Sequence, residues 1–267
     1  MAEVQKQPYV TVEGGLPGED PRDKFRYLNI LTYADYGVGK TTFAASACDD
    51  PRTSPQLVLD FEGGAPLRYL DKDPKTYTIR TIRSIKDLNA YYDYLRKGNH
   101  PYKSVSLDSM TEIQKLGLYE FVYGPGMTYE DMFKGNMLEI KTAEIQHWGK
   151  SGTQMAMIIR AFRDLPMHVF FTCLSQTMKD EVTGLITTTV ALPGKQADEI
   201  PGIPDIVGYM EMERPKPGTN DAPRRIMRVQ PNGKVKAKDR THALGAGLYD
   251  PTVTKMLDLI YDHYKIS

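Results

Sequence analysis

The chain of 267 residues carries 34 Lys+Arg against 34 Asp+Glu, a formal net charge of zero, and is 40% hydrophobic. That is enough apolar material for one large core, while the balanced charge excludes a global pull toward nucleic acid or membrane, so a polyanion site has to be a local patch. The opening MAEVQKQPYVTVEGG has no basic head before an apolar run, and no stretch reaches the ~18 uninterrupted apolar residues of a membrane span; the expectation is a soluble cytoplasmic protein with reduced thiols at Cys48 and Cys173.

In chain order, residues 1–25 carry Gly14, Gly15, Pro17, Gly18 and Pro21 among acids and read as a flexible arm, leaving 26–267 as a single domain. RYLNILTY (26–33), QLVLDF (56–61), TYTIRTI (76–82), KSVSLD (103–108) and MHVFFTCL (167–174) are short apolar runs and candidate strands. Helical patterns fall between them: KTTFAASAC after a glycine turn, SIKDLNAYYDYL with Ser84 and Asp87 resembling a capping box, and TEIQKLGLYEFVY (111–123). A Gly-, Met- and Tyr-rich insertion is expected at about 124–150. Within and beyond it, MLEIKTAEIQHWGKSGTQMAMIIRAFRDL resumes a helical pattern, broken near Gly149 and Gly152 and with Trp148 in the core. Alternating strands and helices predict an α/β fold with a mostly parallel sheet flanked by helices. Past residue 176 the texture turns to antiparallel strands, with a late hairpin at 222–240 turning at Asn232-Gly233, and TVTKMLDLIYDHY closes the chain as a helix.

The stretch ADYGVGKTTF (34–43) carries chemistry. It matches the P-loop pattern with Ala34 in place of the first glycine, then Asp35, Tyr36, Gly37, Val38, Gly39, Lys40, Thr41 and Thr42. Glycines let backbone N–H groups converge on phosphate oxygens, and the helix that follows adds its positive end. Lys40 is expected to reach the β and γ phosphates of ATP, and the Thr41 hydroxyl to ligate Mg²⁺. SVSLDSM then ends an apolar strand in Asp108, the position of a Walker B carboxylate acting on Mg²⁺ through water. Ser109 rather than a glutamate follows, so the base must come from elsewhere. LVLDFEGG offers Asp60 and Glu62 at a carboxyl strand end, and Glu62 is the expected general base. The plain alternative is that both acids cap a turn.

With ADYGVGKTT, LDFEGG and SLDSM in this order, the sequence resembles the RecA-like ATPases, and more narrowly the phage nucleotide-binding proteins of that group, some of which are single-strand annealing recombinases. The resemblance covers roughly residues 26–245. It implies a RecA-like P-loop fold and DNA-stimulated, Mg²⁺-dependent ATP hydrolysis in a host cytoplasm. The implied partners are single-stranded DNA, further copies of the chain with nucleotide between subunits, and a single-strand DNA-binding protein. It places Glu62 on the catalytic glutamate and asks for a polar γ-phosphate sensor at the end of VFFTCLSQ, where Thr172, Ser175 and Gln176 are candidates and Gln176 is preferred. KDR, Lys238 to Arg240, resembles the pair that reaches a neighbouring subunit's nucleotide; such a finger is worth ~10³ to 10⁵ in rate in other NTPases. Between Arg224 and Arg240 seven Lys/Arg face one acid, Asp239. A solvated basic surface and a DNA-phosphate contact through Arg224, Arg225 and Arg228 are the other readings of that run. DNA-facing loops are expected after Met110 and between the strands that follow Gln176. The terminal DNA-binding domains of full-sized recombinases are not seen, so filament formation is not implied. A nucleotide-dependent assembly module and a P-loop phosphotransferase are the alternatives. His168, at a strand start, is left without a role.

Overall fold

The computed structural model describes residues 27–128, 131, 141–179, 181–214 and 222–265. The expected arm at 1–25, and positions 129–130 and 132–140 of the expected insertion, lie outside the described residues. Among the described residues ten strands form the sheet: β1 (Asn29–Ala34), β2 (Gln56–Asp60), β3 (Tyr77–Thr81), β4 (Ser104–Asp108), β5 (His168–Lys179), β6 (Ile186–Val190), β7 (Ile206–Glu213), β8 (Arg224–Arg228), β9 (Lys238–Asp239) and β10 (Gly247–Tyr249). Their order is β10-β8-β7-β1-β5-β4-β2-β3, with β6 on β5 and β9 on β7. From β7 to β3 every pairing on this path is parallel, and β8 and β10 extend the β7 edge antiparallel.

The described residues also form helices α1 (Lys40–Ala45), α2 (Ile85–Arg96), α3 (Met110–Tyr123), α4 (Ile145–Arg163), α5 (Gln196–Glu199) and α6 (Val253–Tyr264). All six residues of β1 are buried because both faces are covered. Alternation sends Leu31 and Tyr33 into a core with Leu88 of α2, Ile113 of α3 and Ile159 and Phe162 of α4. Ile30 and Ala34 turn the other way, toward Phe43 of α1 and Met256, Leu257 and Ile260 of α6. Local chemistry starts the helices. The Ser84 hydroxyl accepts from the Asp87 N–H (3.0 Å) and Thr252 from the Lys255 N–H (3.2 Å).

The segment 222–240 is not a hairpin. Asn232 does make a turn, its Oδ1 accepting from the N–H groups of Lys234 (3.0 Å) and Val235 (3.1 Å), and Gly233 takes φ 79°. The flanks nevertheless pair with different partners: β8 with Tyr209–Glu213 and β9 with Ile206–Val207, both antiparallel to β7, while Val235 bridges Thr188 of β6. The segment is thus two pieces in line along one edge of β7, with an excursion between them. Helix α4 likewise begins at Ile145, inside the expected insertion, and runs through Gly149 and Gly152 without interruption. Its buried stripe starts at Ser151, so Trp148 is exposed, while His147 caps the helix by accepting from the Glu144 N–H (3.0 Å). The residues after Met110 form α3, not a loop.

Candidate functional site

The parallel register brings Asp60 of β2 beside Asp108 of β4, and Leu107 beside Phe171 of β5, so the carboxyl ends of β2, β4, β5 and β1 open on one edge of the sheet. The loop after β1 lies there. Gly37 (φ 74°) and Gly39 (φ 111°) occupy the left-handed region that favours glycine, and their conformations turn the loop back over the strand end. Ala34 is still the buried last residue of β1 and is not among the positive-φ residues, which is why alanine serves there. Asp35 and Tyr36 are exposed at the loop's tip, Val38 is half-buried, and Thr42 is exposed on the first turn of α1.

Lys40 is buried, and its ammonium donates to the carbonyls of Ala34 (3.1 Å) and Asp35 (2.9 Å). Burial lowers its pKa, against the opposing pull of the Glu62 and Asp108 carboxylates. The Thr41 hydroxyl donates to Asp108 Oδ2 at 2.8 Å, and the Thr172 hydroxyl of β5 donates to Asp108 Oδ1. Asp108 is only 5% exposed, and burial raises its pKa although both hydroxyls favour the charged form. Glu62 receives the Ser109 hydroxyl, and burial again raises its pKa with Asp108 adding to the effect. Asp60 is a turn cap: it accepts from the N–H groups of Glu62 (3.0 Å), Gly63 (2.8 Å) and Ala65 (3.3 Å). The two acids of LDFEGG therefore divide between a structural and a solvent-facing role.

The three sensor candidates separate too. Thr172 touches Asp108, Ser175 donates to the Asp35 carboxylate in the loop, and the Gln176 amide donates to the Leu192 carbonyl (2.9 Å). The structure thus takes the preferred Gln176 side chain to the segment that follows β6 and puts Thr172 at the acids. Ser109 and Thr172 are the site partners that sequence reading undervalued. Their only sequence signal is a hydroxyl next to, or one strand across from, an acid at a strand end.

Lys238 and Arg240 lie at the other end of the sheet. Lys238 donates to the Gly202 carbonyl (2.9 Å), and Arg240 to the Gly202 carbonyl (3.0 Å) and Asp205 (3.3 Å). Burial, aided by the Arg240 charge, pushes the Lys238 pKa down to about 8. The basic run is largely answered by other elements: Arg224 pairs with Asp250 (3.2 Å), Arg228 with Glu211 (2.5 Å) and Lys236 with Asp198. His168 is also at that far end, buried, its Nδ1 accepting from the Leu28 N–H (3.1 Å), and burial lowers its pKa to about 4. Cys48 and Cys173 are buried free thiols, and no described helix is long and apolar enough to cross a membrane.

The Thr41–Asp108 pair is a hard-oxygen donor set, and among the described residues no cluster of three or more His, Cys, Asp or Glu forms an all-protein metal cage. That fits Mg²⁺, which keeps waters and is shared between one or two protein oxygens and substrate phosphates.

A parallel sheet with a glycine loop and lysine after β1 and an acid at the end of a neighbouring strand defines a P-loop NTPase. The chain matches the model of the AAA domain family over residues 26–241 and belongs to that family of AAA-type P-loop ATPases. No curated protein matches it.

Proposed function

We propose that this protein binds and hydrolyses ATP with Mg²⁺, and that hydrolysis serves work on single-stranded DNA by an oligomer of the RecA-like kind. The carrying observation is that Lys40, the Thr41–Asp108–Thr172 set and the Glu62–Ser109 pair, drawn from four strand ends, meet at the glycine loop. Loop amides and Lys40 hold the phosphates. Thr41 and Asp108 hold Mg²⁺, which when bound neutralises charge on the phosphate oxygens. Glu62 orients a water toward the γ phosphate and takes its proton, and Ser109 fixes the carboxylate while doing so. The carboxylate must be ionised, and the Ser109 hydrogen bond opposes the burial that would neutralise it.

The oligomer and DNA readings rest on the order of the motifs and on where Lys238 and Arg240 stand, away from their own loop. Isothermal calorimetry and phosphate release test the first step. Lys40→Ala should weaken MgATP binding by at least ~10-fold, and Glu62→Gln should bind normally while hydrolysis falls ~100-fold or more. Normal hydrolysis by Glu62→Gln removes Glu62 from the chemistry. Single-stranded DNA should speed turnover of the wild type. Unchanged turnover leaves a nucleotide-dependent assembly module, and labelled phosphate passing to a small acceptor instead of water makes the protein a phosphotransferase.

A further inference from the structure

We propose that Arg225 is a second cation for the nucleotide's phosphate chain, supplied by β8 of the same subunit; this rests on the P-loop reading above. In the β7–β8 ladder Arg225 stands opposite Met212, whereas β7 pairs with β1 only as far as Tyr209 opposite Tyr33. Strand β8 therefore runs past the end of β1, and its residue 225 is level with the loop. There the side chain lies on Gly39. A Cβ built on Gly39 would fall 2.9 Å from Arg225 Nε and 3.2 Å from Cζ, so any larger residue there would push the guanidinium aside.

The backbone of Arg225 is tied down: its N–H donates to Asp250 Oδ1 (3.3 Å) and its carbonyl accepts from the Asp250 N–H (2.7 Å). Its neighbours' charges are engaged elsewhere, Arg224 with Asp250 and the Tyr249 ring (5.0 Å) and Arg228 with Glu211. Arg225 itself is exposed and forms no ion pair among the described residues. The fold thus places a cation against the phosphate-binding loop, with no carboxylate among the described residues in an ion pair with it. Around the loop, the Asp35, Glu62 and Asp108 carboxylates stand near the ammonium of Lys40, so a polyphosphate gains from further positive charge.

The sheet order tells which part of the nucleotide it meets. Strands β5, β4 and β2, which bring Thr172, Asp108 and Glu62, lie on one flank of β1, and β7 and β8 lie on the other. Arg225 approaches from the flank opposite the groups that act at the γ phosphate. It therefore holds the portion that ATP and ADP share and strengthens binding of both alike, which distinguishes it from a finger that acts only in the transition state.

Calorimetry with MgADP, and with MgATP on the Glu62→Gln background, decides it. Arg225→Met keeps an aliphatic stem over Gly39 and should weaken both ligands by about tenfold, with a shallower salt dependence and kcat within about twofold of wild type. Arg225→Lys should recover part of the loss. Wild-type affinity in Arg225→Met and Arg225→Ala, or a loss confined to kcat, overturns the assignment while leaving the P-loop reading intact. Absence of any nucleotide heat in the wild type overturns both.

Discussion

Burial and the Ser109 hydroxyl pull the titration of Glu62 in opposite directions. Burial and the Asp108 charge raise the Glu62 pKa, whereas donation from Ser109 favours the carboxylate and lowers it. In the proposed mechanism Glu62 acts as base only when ionised, so hydrolysis should fall as pH drops through that raised pKa. Ser109→Ala removes the lowering contribution and should move the acidic limb of the kcat profile to higher pH. At neutral pH kcat should drop about tenfold with little change in KM. An acidic limb that stays in place would show that Ser109 does not act through Glu62. Asp108 makes a separate case. Its folded pKa is raised by burial, so its contribution to stability is full below the unfolded value and is lost as pH rises through the folded one. At pH 7 the buried charge is a cost. Asp108→Asn without Mg²⁺ or nucleotide should melt above wild type at pH 7, and the two curves should converge below pH ~4, where the acid is neutral in both states; thermal melting across pH reads this directly.

At the scale of elements, β7 and β8 meet through a glycine. A Cβ on Gly208 would lie 2.6 Å from Met227 Cγ and Sδ, and Met227 is fully buried. Gly208→Val should destabilise by roughly 1–3 kcal/mol by overpacking, and Met227→Ala added to it should return a substantial part; strict additivity in urea unfolding would mean that the two side chains do not share the space. This contact also marks where sequence reading runs out. The P-loop, the five expected strands and the helices starting at Ser84 and Thr252 were legible because glycines, caps and apolar periodicity act within a few residues. The insertion of β5 between β1 and β4 was not, since strand order is set by packing across the whole sheet. That is why the contact of Thr172 with Asp108 was not legible. The Asn232-Gly233 turn forms as its local chemistry dictates, yet no hairpin follows, because a turn does not choose the partners of its flanks.

On the scale of the whole molecule, two groups of cations stand on one edge of β7 with different reach. Arg225 is opposite Met212 and Lys238 opposite Val207, five residues apart, or about 17 Å along the strand. The first faces its own loop; Lys238 and Arg240, beside the Gly202 and Asp205 end, can serve a nucleotide only in another copy of the chain. In the proposed oligomer a head-to-tail contact would bring this end of the sheet to the next subunit's loop. It makes a quantitative demand. A Lys238→Ala/Arg240→Ala double variant keeps Glu62, and Glu62→Gln keeps the cations, so each alone should hydrolyse poorly. Mixed in equal amounts under conditions that exchange subunits, about a quarter of the interfaces join an intact base to an intact neighbour, and phosphate release should rise toward that fraction of wild type. If these cations serve only to brace the Gly202–Asp205 turn, the double variant will melt lower and the mixture will release no more phosphate than the average of its parts.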